Sequence, residues 1–287
     1  MRIYWDITPA ETGIDYGTLC DEITALRIFS LNLYDAGPAL STPGRHILER
    51  LASHTIMVSL TVPPSVLNAS GPEFFSGLKV NELLVDASSR DDLRFIAGMR
   101  KQHRDLKMTI GVSVQADDQN FRNIPDILSF CLSHDLSRLV FPMQRLTAGN
   151  RCVYIGREEG RALSERLKGM HLERMNITIH DPFLWKIFYP DVSFPGGGCQ
   201  AANTMAYISP DGSVYPCPSL PVRLGSVTDT SLKKILLSAH KKELRGRLVQ
   251  PPEECLPCGE RDQCLGGCRG RVFALSGSLT GQDPACR

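Results

Sequence analysis

From Arg2 to about His180 the chain alternates short β-rich runs with amphipathic stretches of helical length. The runs Ile3–Ile7, Ile28–Leu33, Thr55–Val62, Glu82–Val85, Lys107–Val114 and Arg138–Phe141 are mostly continuous in apolar residues. That pattern predicts parallel strands covered on both faces. Between them, 17–26, 43–52, 91–102, 124–134 and 157–168 predict helices. Thr42 before Pro43 is a good N-cap with proline at the first helical position, and Ser89 before Arg90 and Asp91 starts the fourth unit in the same way. Leu93, Ile96 and Ala97 give that helix one apolar face. Six βα units imply a parallel sheet, open and doubly wound or curled into a partial barrel. Either form binds ligands at the carboxyl ends of its strands. No G-x-G-x-x-G or G-x-x-x-x-G-K-[ST] follows a strand, so a phosphate-cradling loop is not expected.

The pattern changes after Tyr189-Pro190. Phe194-Pro195-Gly196-Gly197-Gly198 cannot extend a helix and lets backbone approach a bulky object closely. Two β-type runs then flank Pro210-Asp211-Gly212, a strong turn signal, which predicts a hairpin with Cys217 at its far end, turned back towards Cys199. Ser231–Leu248 predicts an amphipathic helix capped by Asp229 or Thr230, with Leu232, Ile235, Leu236 and Ala239 in one stripe. Its Lys and Arg residues form a basic face that would attract an acidic peptide, although a solvated helix surface is the commoner meaning of such a face. Pro251-Pro252 ends it.

Composition narrows the chemistry. With 42% hydrophobic and 22% charged residues the chain reads as an ordinary globular protein. A net charge of +1 argues against broad attraction to nucleic acid or anionic lipid, and no run approaches the length of a membrane span. Met1 to Asp6 lacks the apolar run of a secretory signal, which points to the cytosol, where clustered cysteines are more often metal ligands than disulfides. Seven of the ten cysteines fall in the last 89 residues: Cys199-x17-Cys217, then Cys255-x2-Cys258-x5-Cys264-x3-Cys268-x17-Cys286. Thiols two residues apart can turn onto one metal centre, as zinc and iron–sulfur sites both require, and seven are enough for two sites. Cys20, Cys131 and Cys152 show no ligand spacing, and Cys20 and Cys131 read as packing.

Cys199-x12-Gly212-x4-Cys217 followed by C-x2-C-x5-C-x3-C-x17-C resembles the seven-cysteine SPASM domain of radical SAM peptide-modifying enzymes, over roughly residues 195–287. The run Ile208-Ser209-Pro210-Asp211-Gly212-Ser213-Val214-Tyr215-Pro216-Cys217 also fits that family's wording. The resemblance implies two auxiliary [4Fe–4S] clusters. By position Cys199, Cys217 and Cys268 would hold the first, and Cys255, Cys258, Cys264 and Cys286 the second. The first then has three thiolates, its fourth ligand being an upstream residue such as Asp191 or Ser193, or an open position.

The front resembles more weakly the partial (β/α)6 barrel of radical SAM enzymes. Tyr4-Trp5-Asp6-Ile7-Thr8 looks like its first strand, and Asn32 to Leu40 like a degraded GGEP segment. Where the family places C-x3-C-x2-C, this chain has Pro9-Ala10-Glu11-Thr12-Gly13-Ile14-Asp15, and that motif occurs nowhere else in it. The expectation is therefore a degenerate radical-SAM-like partial barrel (1–190) followed by a small cysteine-rich α+β SPASM domain (191–287), with no S-adenosylmethionine bound or cleaved. Such a chain resembles GeoRSP-type accessory SPASM proteins, which accompany a radical SAM maturase and a precursor peptide. The implied role is cytoplasmic, relaying electrons or presenting peptide. Two alternatives stand beside it: a scaffold whose cysteines hold structural zinc, and an enzyme using the three-thiolate cluster as a Lewis acid.

Overall fold

Seven strands pair in chain order, all parallel: β1 (Arg2–Asp6), β2 (Ser30–Tyr34), β3 (Met57–Val62), β4 (Glu82–Asp86), β5 (Thr109–Ser113), β6 (Arg138–Phe141) and β7 (Asn176–Ile179). β8 (Met205–Ile208) then returns parallel to β1 on its other edge, with Arg2 opposite Met205 and Trp5 opposite Ile208. β9 (Ser213–Tyr215) and β10 (Gly225–Ser226) continue the same ten-stranded sheet in antiparallel fashion. The structure is a computed structural model and describes residues 1–8, 13–118, 120–195 and 197–286. Pro9 to Thr12, the first part of the segment that stands in place of a C-x3-C-x2-C loop, and Gly196 lie outside those residues.

The sheet curls. Six strand spacings would put β1 and β7 roughly 29 Å apart if it were flat. Yet the rings of Tyr4 on β1 and His180, just past β7, have centroids 5.8 Å apart, edge to face. Arg145, in the loop after β6, likewise reaches Asp6 at the end of β1, with Nε 2.6 Å from Oδ2. Side chains, not backbone pairing, draw the two ends together into a partial barrel.

That curvature corrects one expectation. The strands are not apolar on both faces. Their outer face carries Ile3, Trp5, Leu31, Leu33, Val58, Leu60, Ile110 and Val112, buried against the helices in the main core. Alternate positions turn inward and are mostly polar, with Leu84 and Val140 as apolar members. Glu82 takes a hydrogen bond from Ser59 at 2.8 Å and pairs with Arg138, which also donates to Thr178 at 2.8 Å. Nearer the carboxyl ends, Asp6 pairs with Arg145, the Arg145 guanidinium lies 3.8 Å from the Tyr34 ring centroid, and Tyr207 donates to Asp6 at 3.0 Å. A narrow interior lined by charges is stable only when those charges satisfy one another, and here they do so across strands.

All five predicted helices of the front part form, within a residue or two of their expected ends. Ser89 caps as expected, in a capping box with Asp92. Ser41, not Thr42, caps the second helix, accepting from Gly44 N–H at 3.0 Å. Short helices at Pro64–Ser70, Pro72–Ser76 and Pro182–Phe188, each opened by proline, were not anticipated, and neither was β7. The long helix expected over Ser231–Leu248 is two, Leu232–Leu236 and Ala239–Leu248. Ser231 caps the first, in place of Asp229 or Thr230, and Ser238 caps the second. A smaller apolar cluster under the cysteine-rich segment gathers Ala201, Ala202, Cys217, Leu220, Leu244, Leu248 and Leu279. Among the described residues no helix is long and apolar enough to cross a membrane.

Removing one member of the Arg145–Asp6 pair leaves a charge in a largely buried place. Arg145→Met is expected to cost about 3 kcal/mol in denaturant unfolding, while Arg145→Met with Asp6→Asn recovers most of that loss.

Candidate metal centre

The chain leaves the helix Pro182–Phe188 and reaches Cys199 through a glycine segment. Gly198 adopts φ +53°, and a Cβ there would lie 2.8 Å from the Cβ of Leu265, so the Cys199 and Cys264 segments approach as only glycine allows. Arg245, from the helix Ala239–Leu248, donates to the carbonyls of Cys199 and Ala201 and fixes the first segment. One residue of the predicted basic face thus points inward and has a structural partner. The hairpin β8–β9 turns at Gly212 (φ +81°) and brings Pro216 within 3.3 Å of Ala202 N–H, so Cys217 returns towards Cys199 as its spacing suggested. Cys268 begins the helix Arg269–Ser276, and that helix lies so close to the Cys217 segment that a Cβ on Gly270 would overlap the Ser219 carbonyl.

Three thiols therefore share one neighbourhood. Cys199, Cys217 and Cys268 line a cavity of about 570 Å³ between the cysteine-rich segment and the ends of β6 and β7. Burial, and then the proximity of Cys199 and Cys268, hold the Cys217 thiol well above its ordinary pKa. Burial pushes Cys268 up to about 12. Opposing this, backbone N–H groups of Ala201 and Arg269 point at Cys199, and those of Ser219 and Leu220 at Cys217. Such donors favour the thiolate.

The other four thiols neighbour each other instead. Burial and then Cys286 and Cys258 act on Cys255, while Cys264 is pushed by burial to about 11, with Cys286 and Cys255 close by and the Gly266 and Gly267 N–H groups aimed at it. Cys258 N–H donates to the Cys255 carbonyl at 3.0 Å, the tight return that the two-residue spacing implied. Cys264 also touches the first cavity. All ten cysteines are free thiols. Among the described residues no three His, Cys, Asp or Glu side chains are closed to the geometry of a metal ion.

Whether this donor set suits an anionic iron–sulfur group is answered by Arg269. Its side chain is fully buried. Its terminal nitrogens donate to the carbonyls of Gly281, Gln250 and Leu265 at 2.9, 3.2 and 2.6 Å, but Nε has no hydrogen-bond partner and, among the described residues, no carboxylate pairs with it. Burial pulls its pKa down, and the groups opposing that pull are first Cys199, Cys255 and Cys264, from both neighbourhoods, and then Asp283. A buried, unpaired guanidinium is costly unless negative charge faces it. Thiolate-ligated iron–sulfur groups would supply that charge, so the residues fit such a group. Its neighbour Arg271 is paired twice, to Asp283 at 2.7 and 2.8 Å and to Asp181, and Asp283 also accepts from Cys268 N–H at 2.7 Å. Asp181 caps the helix Pro182–Phe188, so one arginine ties the barrel to the Cys268 turn. Sequence reading passed over Arg269, Arg271 and Asp283, because only their place beside Cys268 and Cys286 marked them.

Phe141, Trp185 and Phe194 give the cavity an aromatic wall, which Arg2 and Asp181 also line, together with His180, which burial keeps neutral by lowering its pKa to about 4. Cys152 lies on this wall too, although its sequence context gave no sign of it. Cys20 and Cys131 are buried core residues, as expected. Asp191 and Ser193 are exposed.

Comparison with known proteins agrees with this layout. The family described as SPASM, an iron-sulfur cluster-binding domain, matches residues 199–259. SuiB of Streptococcus suis superimposes with a TM-score of 0.73 at 14% identity, covering 100% of this chain and 77% of that one. The structure of SuiB bound to its precursor peptide SuiA matches with a TM-score of 0.69 at 14% identity, over 98% and 74%. Native anSMEcpe with bound AdoMet matches with a TM-score of 0.63 at 14% identity, over 99% and 94%. At that identity the likeness is one of fold: a parallel α/β sheet followed by a SPASM domain.

The buried thiols carry a pH signature in metal-free protein. Their unfolded counterparts ionise near pH 9, whereas folded Cys20, Cys131 and Cys268 do so near 12. Between those values the folded state binds more protons, so stability, full below pH 9, falls as pH rises. The slope approaches roughly 1.4 kcal/mol per pH unit per group. Melting temperatures of metal-free protein from pH 7 to 10.5 should be level at first and then decline.

Proposed function

We propose that residues 191–287 bind two [4Fe–4S] clusters and that residues 1–190 carry them as a barrel without radical chemistry of its own. Cys199, Cys217 and Cys268 would hold the first cluster, and Cys255, Cys258, Cys264 and Cys286 the second. The observation that carries this reading is the division of seven thiols into two neighbourhoods, with an unpaired, buried Arg269 between them. Clusters supply one-electron transfer at potentials set by burial and hydrogen bonding. The chain's own residues do the rest. Backbone N–H groups steady the thiolates, Arg269 offsets their charge, and the Arg271–Asp283–Asp181 link fixes the Cys268 turn against β7.

No C-x3-C-x2-C is present to hold a cluster that cleaves S-adenosylmethionine. The strand ends where a ligand would lie hold the Asp6–Arg145–Tyr34–Tyr207 group instead. Asp35, in the segment like a degraded GGEP, is buried and accepts from Ser41 and Gly37 of its own loop. These features support a chain without its own S-adenosylmethionine chemistry, and the role proposed for it is that of a cytoplasmic accessory beside a radical SAM maturase acting on a ribosomal precursor peptide. SuiB binds its peptide SuiA on the same fold, and the apolar cavity next to the first thiol group offers this chain a comparable place for peptide.

Protein purified without oxygen should contain roughly eight iron and eight sulfide per chain. It should neither retain S-adenosylmethionine in equilibrium dialysis nor release 5′-deoxyadenosine with a strong reductant. Zinc without sulfide would replace this reading with the structural-zinc scaffold, and deoxyadenosine formation would end the accessory role. Arg269→Gln, which keeps hydrogen-bonding capacity and removes the charge, should lower the midpoint potentials of both clusters. An unchanged pair of potentials would remove Arg269 from the site.

A further inference from the structure

Three motif thiolates leave one iron of the first cluster without a protein ligand. We propose that Cys152 supplies the fourth thiolate, an assignment that rests on the two-cluster reading. Cys152 lies in the connection between β6 and the helix Arg157–Leu167, where no spacing marks it. It nonetheless lines the same cavity as Cys199, Cys217 and Cys268.

Named contacts hold it there from two sides. The Gln144 side chain engages both backbone groups of the adjoining residue, accepting from Val153 N–H at 2.9 Å and donating to the Val153 carbonyl. The Gln144 carbonyl accepts from Ser219 Oγ at 2.7 Å, and Thr147 N–H donates to the Pro218 carbonyl at 3.2 Å. Val153 and Ser219 thus hang on one residue, next to Cys152 and two past Cys217. On the other side, the Tyr154 ring centroid lies 5.7 Å from the Arg271 guanidinium. Arg271 is locked to Asp283, which holds the Cys268 N–H. The Cys152 and Cys268 thiols accordingly face the same three charges, Arg271, Asp283 and Asp181. The upstream alternatives, Asp191 and Ser193, are exposed and do not line this cavity.

Ligation exchanges the Cys152 S–H bond for an S–Fe bond, displaces a solvent oxygen from that iron and releases the proton to water, with no change of oxidation state. A cluster closed in this way relays electrons and has no iron free to bind a substrate thiol. The Lewis-acid alternative would then lack its open position.

The test uses full-length protein loaded with iron and sulfide without oxygen, read by iron content and by electron paramagnetic resonance before and after ferricyanide. Wild type should keep four-iron signals. Cys152→Ala should convert the first cluster alone to a three-iron form with loss of one iron, and Asp191→Ala should behave as wild type. Identical behaviour of Cys152→Ala and wild type overturns the assignment, as does conversion caused by Asp191→Ala. If Cys152→Ala loses all its iron, Cys152→Ser decides. Two retained clusters with only the first signal altered uphold the assignment, and unaltered signals overturn it. Wild type without iron and sulfide would overturn the two-cluster reading itself.

Discussion

The structure depends on the parallel pairing of β8 with β1. Once Met205–Ile208 lies beside Arg2–Trp5, every later segment is placed relative to the carboxyl ends of the barrel strands. The pairing also puts the Tyr207 hydroxyl on Asp6, and Asp6 is the residue through which Arg145 closes the curl from the far side. A buried carboxylate with a guanidinium and a phenol on it is stable in a way that a lone one is not. The core records the same fusion. Ile208, Val214, Leu232 and Ile235 belong to the main apolar cluster, although they follow the glycine segment in sequence.

Charge then decides how the cysteine-rich end is organised. Two buried arginines, one residue apart on either side of Gly270, behave differently because their surroundings differ. Arg271 sits between two carboxylates and ties three segments together. Arg269 donates only to carbonyls, and the charges facing it are chiefly thiols, with Asp283 a lesser one. An ordinary core would not retain the second arrangement, since hydrogen bonds to neutral carbonyls do not repay the removal of a charge from water. Its presence is physically reasonable where anionic sulfur lies on both sides. Lys186 paired with Glu260 at 2.8 Å adds a further link between the helix Pro182–Phe188 and the Cys258–Cys264 segment.

Much of this was legible in the residues. Strand and helix positions in the front part followed from periodicity, and the hairpin from Pro210-Asp211-Gly212. β7 escaped because Asn176–Ile179 is short, half-buried and at the sheet edge, so it lacks the apolar run that marked the others. The polar barrel interior was misread because the outward-facing Ile, Leu and Val dominate each run, and inward Ser, Thr and Asp positions look like interruptions. The helix break at Ser238 was hidden by an apolar stripe that runs on past it, although a serine whose hydroxyl caps Lys241 N–H is a start signal in its own right. The seven motif cysteines announced themselves because their turns are local. Cys152 could not, since what places it beside them is Gln144 and Tyr154 acting through tertiary contacts.

The cavity itself sets the electrical character of anything held on its thiol side. One wall carries Phe141, Trp185, Phe194 and a neutral His180, which offer little to stabilise added negative charge, but Arg2 lines the cavity beside them. Reduction makes a thiolate-bound cluster more negative, so Arg2 pushes its potential up while the apolar part of this wall pushes it down. Arg271 stands next to Cys268 and pulls the other way, but Asp283 and Asp181 already neutralise much of it. Among the described residues no carboxylate is paired with Arg269, although Asp283 acts on it, and it faces both thiol groups. On the two-cluster proposal, both clusters would therefore share one source of electrostatic support. Reducing either would draw on the field that favours reduction of the other, which suits passing electrons singly.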